Sequence, residues 1–543
     1  MHTRHRGGVI LAGAVLLVAA ACSSSSNGGS SSGPASTAAG AQPTAAGAAS
    51  TAAATTAPAT DPNGKLVFGL SVAPRNMDPV TANGIGDLPA LVPVYDRLID
   101  YAGGQYKPML ATSWQFSPDG SVLELKLRTD VKFQDGTPFD AAAVKANIER
   151  GQTNPKSNVK GFLAPIQSVE VVDPATVRLH VAPGQGYGLL SSLSLLPGMM
   201  VSPAAMDKPD LDQYGVGTGP YVIKPGTFSP NDRATFVRAP GTYWGGPERQ
   251  RLAEFQEIRF TDAVTAENAL KSGQIDVSQV PGATQMKQLQ SQGGFEARLV
   301  ETLNPIGIKF NLNRPGVSDV RVRQAIASAI DRDTLVSTVL QDDCTSKPIH
   351  QFIAEGQPGY VKSLDDLYPY DPKKAQDLLA QAGVKGLQIN GMDVSLEEQA
   401  EIAIQAQLKA IGIDQQLDKL SSTDANPAWN AGKYDAWAWP IVTTTDPALV
   451  LHDAVVENFQ LPATTDKVKT AATGLLDQTK TDAQRAQVMA ATNQAAVEDV
   501  VAIPLCFVQS RAVARKGVVG LDDQPFLTIQ SLLDPTRFGV SAP

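Results

Sequence analysis

Residues 111–144, which read ATSWQFSPDGSVLELKLRTDVKFQDGTPFDAAAV, constrain the fold more than any other stretch of this chain. Leucine occupies every second position in 122–128, which is the period of a strand with at least one buried face. Residues 117–120 (SPDG) and 135–138 (DGTP) have the composition of turns. Asp140 stands where a helix N-cap is expected. The stretch therefore predicts strand, turn, strand, turn and the start of a helix.

As a literal string, the same stretch resembles the signature of the family 5 extracellular solute-binding proteins, A-x-S-W…S-x-D-G…L-x-L-R…V-x-F-x-D-G-T-P. These are the peptide, oligopeptide and nickel receptors of ABC importers. The resemblance implies an α/β, two-lobed fold of the periplasmic-binding-protein type (class II, cluster C-like) with an extra subdomain inserted in lobe I. Without the resemblance, the pattern indicates only the first crossover of a large α/β lobe. The stretch identifies a fold and leaves the ligand open.

Two further segments match the family in the same order. Residues 311–332 contain N-x-x-R-P…D-V-R-V-R-Q-A-I…A-I-D-R, and residues 370–383 contain Y-D-P-K-K-A…L-L…A-G. The first is also an amphipathic helix by its spacing, since Val322, Ile326 and Ala329 share one face. We expect the charged residues of this helix to form a solvated or salt-bridged face and not a ligand-binding cluster. The resemblance to the family covers about 65–543.

Composition and resemblance together divide the chain into segments that we expect to be distinct. These are a lipoprotein signal peptide (1–22), a disordered Ser/Gly/Ala/Thr/Pro tether (23–62), the first part of lobe I (63–97), an inserted subdomain II (98–208), the second part of lobe I (209–301), lobe III (302–500) and a C-terminal return to lobe I (501–543). This order requires two chain crossings between lobes I and III. Such crossings form a hinge over a cleft that closes on a ligand.

The N-terminus reads as an export signal, with arginines in the first six residues, an apolar run over 9–20 and small residues before Cys22. The sequence around Cys22 resembles a bacterial lipobox, in which the cysteine receives diacylglycerol, although Ala19 replaces the usual leucine. A plain signal peptidase site followed by a chance cysteine is the alternative. A lipid on Cys22 would attach the chain to the membrane by that anchor alone.

Charge and motif content exclude several classes of function. The net charge of −9 over 543 residues, with no basic run, argues against a nucleic-acid partner. The sequence contains no H-E-x-x-H, G-x-S-x-G or C-x-x-C motif, and its five histidines never stand at metal-ligand spacing. We therefore expect no enzyme activity, no catalytic residue, no cofactor and no protein-bound metal.

Ligand chemistry is expected where dipeptide receptors of this family hold the charged ends of their ligand. An aspartate before a D-P pair holds the ammonium there, and an arginine ahead of a helix holds the carboxylate. This chain has threonines before Asp446-Pro447, and residues 390–395 contain no arginine. A free dipeptide is disfavoured, because its charged ends would be desolvated without partners. Longer peptides, or neutral polar solutes such as sugars or glycoconjugates, remain as candidate ligands.

The resemblance and these departures from it indicate a set of ligand-binding candidates. They are Thr81, Asn83 and Gly84 after the first strand, and Trp437, Trp439, Thr443, Thr444, Thr445 and Asp446 in lobe III. Two alternatives stay open: the tryptophans, two residues apart, pack in the lobe core instead of lining the cleft, and Asp446 caps a loop instead of contacting ligand.

With Cys22 lipidated, Cys344 and Cys506 remain as an even pair in an oxidising compartment. Either they form a disulfide, or both cysteines stay free, with Cys506 a buried thiol because it lies in an apolar run.

The expected function is that of a substrate-binding lipoprotein of an ABC transporter. It captures a peptide-like or other polar solute between its lobes and delivers it to permease and ATPase subunits, as a monomer anchored to the outer face of the cytoplasmic membrane in the cell envelope. There are two alternatives. The same fold binds a sugar, glycoconjugate or metal chelate, or the protein is a receptor adapted to sensing or adhesion.

Overall fold

A computed structural model describes residues 59–542 except 72–73, 83–86, 103–104, 183, 280–281, 342–343, 346, 395–397, 421, 441–445, 458–463 and 525–532. The predicted signal peptide, Cys22 and nearly all of the predicted tether lie outside the described residues. No helix within the described part is both long and apolar enough to cross a membrane.

The strands are β1 (Lys65–Leu70), β2 (Ile99–Ala102), β3 (Gln105–Pro108), β4 (Ala111–Phe116), β5 (Val122–Leu127), β6 (Ile166–Asp173), β7 (Thr176–Val181), β8 (Tyr221–Ile223), β9 (Arg233–Arg238), β10 (Glu254–Arg259), β11 (Val277–Ser278), β12 (Phe295–Phe310), β13 (Leu387–Val394), β14 (Ile413–Leu420), β15 (Ala436–Pro440), β16 (Ala502–Arg515), β17 (Val518–Val519) and β18 (Gly539–Val540).

The helices are α1 (Leu88–Val94), α2 (Ala141–Thr153), α3 (Lys160–Leu163), α4 (Tyr187–Leu193), α5 (Leu211–Tyr214), α6 (Ala263–Ser272), α7 (Ala283–Gln292), α8 (Pro315–Ser318), α9 (Val320–Ala329), α10 (Arg332–Thr334), α11 (Pro372–Gln381), α12 (Glu398–Ala410), α13 (Ser422–Asn430), α14 (Pro447–Leu451), α15 (Asp466–Ala471) and α16 (Asp482–Glu498). Two π-helical turns, Leu335–Val339 and His452–Val456, extend α10 and α14.

The signature stretch folds as its pattern predicts. β4 and β5 pair antiparallel, and Gly120 between them has a φ of 71°, a conformation that glycine adopts without strain. The Asp140 carboxylate accepts a hydrogen bond from the Ala143 amide at 2.9 Å and so caps α2. β4 and β5 continue into β7 and β6 as a four-stranded sheet, and α2 packs on it.

A ten-stranded sheet, in the order β14-β13-β15-β12-β16-β11-β1-β10-β9-β8, runs through the rest of the molecule. Its two central strands, β12 and β16, are long and antiparallel. β12 pairs with β15 over residues 306–310 at one end, and β16 pairs with β11 over residues 513–514 at the other. These strands connect strands from the range predicted as lobe I with strands from the range predicted as lobe III, and the names lobe I, subdomain II and lobe III refer below to those predicted ranges.

Separate apolar cores fill the two sides of these crossings. One core combines lobe I strands with the four-stranded sheet of subdomain II, so the inserted segment shares its core with lobe I. Another lies between α9, α12 and the lobe III strands. The mixed α/β fold class is as predicted.

Candidate functional site

The crossing strands are irregular at one place. The register of β12 against β16 shifts between Glu301 and Pro305 and again between Ile306 and Gly307. Inside this break the Thr302 hydroxyl donates to the Val508 carbonyl at 2.8 Å. A bulge bends a strand pair and interrupts its ladder. Residues 301–307 therefore interrupt the ladder between the two longest strands of the sheet.

Asp446 lies at the end of the segment that follows β15 and is almost fully buried, with 4% of its surface exposed. One carboxylate oxygen accepts hydrogen bonds from the amides of Ala448 and Leu449, at 3.0 and 3.1 Å, and so caps α14. The other accepts from the hydroxyls of Tyr187 at 2.9 Å and Tyr106 at 3.2 Å. Both tyrosines belong to subdomain II, so Asp446 joins that subdomain to lobe III. We name these two tyrosine contacts the Asp446 bridge.

Electrostatics explain why the bridge needs several donors. Burial raises the pKa of the Asp446 carboxyl, because the anion loses its water, and the four hydrogen bonds act against that shift. Burial also raises the pKa of the Tyr187 and Tyr106 hydroxyls, which therefore remain proton donors. The Arg485 guanidinium lies 3.9 Å from the centre of the Tyr187 ring and holds it from the lobe III side.

A second polar contact joins the same two parts of the chain. The Gln478 side chain accepts from the Gly186 amide at 3.1 Å and donates to the Gly120 carbonyl at 2.8 Å. Gly120 is the turn glycine of the signature stretch. The conformation described is thus one in which subdomain II and lobe III are in contact.

Trp437, one of the predicted ligand-binding residues, is buried in the structure. Its side chain is 1% exposed and packs 5.9 Å from the ring of Trp429, on α13. The Lys309 ammonium lies 4.1 Å from the Trp437 ring centre on the neighbouring strand. Because α13 covers this face of the sheet, Trp437 packs in a buried cluster with Trp429.

Thr81 is described, and its hydroxyl is engaged within its own loop. It accepts from the Asn76 amide group at 2.9 Å and donates to the Asp78 carboxylate at 3.1 Å. Arg150 holds that carboxylate through two hydrogen bonds of 2.8 and 2.7 Å. Thr81 therefore shapes the loop after β1, and a direct ligand contact by its hydroxyl would compete with these bonds.

The remaining ligand-binding candidates lie outside the described residues. These are Asn83, Gly84, Thr443, Thr444, Thr445 and the side chain of Trp439, whose backbone pairs with Gly307 at the end of β15.

Cys344 and Cys506 are joined in the structure, with Cα atoms 5.6 Å apart, which is a separation typical of disulfides. Cys344 also forms an isolated bridge with Val508. The pair lies beside the irregular part of the crossing strands.

Sequence reasoning did not find Tyr106, Tyr187, Gln478 or Arg485. Their partners lie far along the chain, 340 residues away for Tyr106 and 259 for Tyr187. No local pattern carries such a pairing.

Comparison with known proteins places the chain in a family. The model of "Bacterial extracellular solute-binding proteins, family 5 Middle" matches residues 105–456. The chain belongs to this family. The glutathione-binding protein GsiB of Escherichia coli (strain K12) is 27% identical over 61% of this chain, and the match spans 66% of that relative's length.

Two solved structures show the same architecture over nearly their whole length. The binding protein AgaA from A. tumefaciens R10, in complex with agropinic acid, is 27% identical, with a TM-score of 0.72 over 88% of this chain and 99% of that one. NikA from Brucella suis, in complex with Fe(III)-EDTA, is 26% identical, with a TM-score of 0.74 over 88% and 100%. The predicted family and fold are confirmed.

Proposed function

We propose that this chain is the substrate-binding subunit of an ABC importer, which captures a peptide-like or other polar solute between its lobes and delivers it to a permease and its ATPase. Family membership is the observation that carries the proposal. The two crossing strands with their irregular segment support it, because hinged lobes are how binding proteins enclose a ligand. The proposal includes the importer with its permease and ATPase subunits, and it takes the binding protein to be a monomer.

Closure assigns roles to residues of this chain. When the lobes rotate about residues 301–307, subdomain II and lobe III meet through the Asp446 bridge and Gln478. Asp446 caps α14 in either state, since its amide donors lie within the same helix. The hydrogen bonds from the Tyr187 and Tyr106 hydroxyls to Asp446 form only when the lobes close, so they favour the closed state.

The proposed ligand is a peptide longer than two residues, held through its backbone, or a neutral polar molecule such as a sugar or glycoconjugate. The segment before Asp446 contains threonines where a dipeptide receptor has an acid, and Asp446 itself is occupied by four donors. The relatives named for glutathione and agropinic acid support a polar, peptide-like or conjugated solute.

A metal chelate is the second candidate, and the specific observation for it is the similarity to the Brucella protein solved with Fe(III)-EDTA. Within the described ranges, no three His, Cys, Asp or Glu side chains come together as a metal site. In this second reading the protein would recognise the organic chelator around the ion.

We also propose that Cys22 carries a lipid after export. The apolar run before it and the Ser/Gly-rich sequence after it support an anchored protein with a flexible tether. About 40 such residues have a root-mean-square reach of roughly 35 Å, enough to leave and meet a permease while attached. A plain cleavage site followed by a chance cysteine is the competing interpretation.

A thermal-shift panel tests the capture role. Peptides of two to six residues, oligosaccharides, sugar–amino acid conjugates and iron or nickel chelates are added separately to purified protein. A true ligand at about 100 times its Kd stabilises the folded state by about 2.7 kcal/mol. No shift with any class contradicts capture. Loss of uptake of the identified solute when the gene is deleted separates import from sensing or adhesion.

A further inference from the structure

A cavity of about 610 Å³ lies between subdomain II and lobe III, beside the Asp446 bridge, since the lining residue Leu449 donates its amide to Asp446. Residues 161–165 and 184–195 form one wall, and residues 449–457 and 472–476 form the other. Small-molecule pockets in proteins measure roughly 300–1,000 Å³. The volume is therefore that of a ligand site.

The walls are largely apolar. Phe162, Pro165 and Leu195 line one side, and Leu449, Val456 and Leu475 line the other. Phe162 is 56% exposed, which is unusual for a phenylalanine in a soluble protein and leaves its ring open to a partner. An apolar or aromatic molecule would bury this ring.

The charged side chains among the lining residues all belong to one turn, and the Lys480 side chain, which lies beside the lining residue Gly474, pairs with Asp477 at 3.8 Å. Asp453 and Glu457 are 45% and 55% exposed at their side chains, and His452 contacts them at 2.9 and 3.9 Å. In the described part of the chain neither carboxylate pairs with a lysine or arginine, and none of the described lining residues is basic. The cavity thus offers negative charge beside an apolar surface.

These groups owe their position to an irregular helix. α14 widens into the π-helical turn His452–Val456, which turns both His452 and Asp453 toward the cavity wall. Single π-helical turns are uncommon and occur frequently at functional sites. Opposite this turn Gly188 adds no side chain, and a Cβ built there would meet only Leu449, at 3.6 Å.

We propose that this cavity is a second ligand site, which takes a small molecule with an apolar or aromatic body and one cationic amine. The body lies against Phe162, Leu195 and Val456, and the ammonium lies beside Asp453 and Glu457. None of the predicted ligand-binding residues is among the residues that line this cavity.

The cavity has one wall on each side of the closing lobes, so an occupant contacts both walls only when subdomain II and lobe III are together. A ligand that prefers one conformation shifts the population toward it. An amine bound here would favour the closed state and raise the affinity of the main solute. This coupling, unlike the site itself, rests on the proposed function.

Binding of 4-phenylbutylamine to the purified protein tests the site, with 4-phenylbutanol and 4-phenylbutyrate as the neutral and anionic analogues. We expect the amine to bind at least about threefold more tightly than the alcohol, as for partly exposed charge pairs, and the carboxylate to bind weakest. The double variant Asp453→Asn/Glu457→Gln should reduce the amine to the affinity of the alcohol. Equal binding of all three probes, or an unchanged amine affinity in this variant, overturns the proposal.

Ser191→Phe places a ring in the cavity and should abolish binding of amine and alcohol alike; unchanged binding by this variant overturns the location. Glu149→Gln removes an exposed carboxylate on α2, outside the cavity, and is the matched control that should change nothing. Because the double variant alters only exposed side chains, it remains informative if Ser191→Phe misfolds. A bound amine that leaves the lobe separation unchanged overturns the coupling without touching the proposed solute capture.

Discussion

Removal of one hydroxyl, by Tyr187→Phe, should open the molecule. The Tyr187 hydroxyl donates to the buried carboxylate of Asp446 at 2.9 Å, across the contact between subdomain II and lobe III. A hydrogen bond to a charged group contributes about 1.5–3 kcal/mol. Three donors to Asp446 remain, so we expect a loss at the lower end, about 1.5 kcal/mol.

That loss applies to the closed state only. A difference of about 1.4 kcal/mol is tenfold in an equilibrium constant, so the variant should shift the open-to-closed ratio about tenfold toward open. The apparent affinity for the solute falls by the same factor as the closed fraction. The stability of each lobe should stay nearly unchanged, since the lost hydrogen bond lies between subdomain II and lobe III and the aromatic ring is kept.

The assay is the distance distribution between spin labels at positions 156 and 373, where Lys156 and Lys373 are exposed on subdomain II and lobe III. Tyr187→Phe should increase the long-distance population. The control is Tyr221→Phe, which removes a buried hydroxyl that bonds Leu252 at 3.1 Å within lobe I. The control should lower the melting temperature without changing the distances. A wild-type distribution for Tyr187→Phe refutes the role given to the Asp446 bridge.

Four other variants give independent tests. Burial raises the pKa of Glu257 from 4.5 to about 8, so the folded state keeps a proton that the unfolded state loses. The free energy of unfolding should therefore fall by on the order of 5 kcal/mol as pH rises from 4.5 to 8. Glu257→Gln should remove that fall, as measured by urea unfolding at pH 5 and 8. Cys22→Ala should move the protein from the membrane to the soluble fraction, and persistent membrane association would contradict lipidation. Cys344→Ser/Cys506→Ser should destabilise by about 2–4 kcal/mol, whereas a free thiol titrated in the native protein would exclude the disulfide. Trp437→Ala should cost about 3–5 kcal/mol as a core truncation; a wild-type melting temperature with lost solute binding would return Trp437 to the cleft.

Local rules predicted the local structure well. The Asp140 cap and the Gly120 turn depend on backbone geometry within a few residues, and both form as expected. α6 likewise ends at a glycine, Gly273, which has a φ of 79°. Such features depend on the conformational preferences of neighbouring residues and do not require contacts with distant ones.

The predictions for Trp437 and Asp446 show where local rules stop. Alternation placed Trp437 on one face of a strand but could not say that α13 would cover that face. The Asp-Pro pair predicted a cap at Asp446, and the cap forms, yet the two tyrosines that complete its surroundings lie on elements more than 250 residues away. Burial and long-range pairing depend on the assembled fold. For the same reason, the sequence of its strand does not indicate that Glu257 is buried.

Native mass spectrometry of the purified protein tests the central claim, capture of a solute between the lobes, most directly. We predict one small polar molecule bound per chain, released on denaturation, identifiable by its mass, and able to rebind and narrow the distance between the labels at positions 156 and 373. A chain that purifies with nothing bound, and whose label distances are unchanged by peptides, sugars, conjugates and chelates, would contradict solute capture by lobe closure.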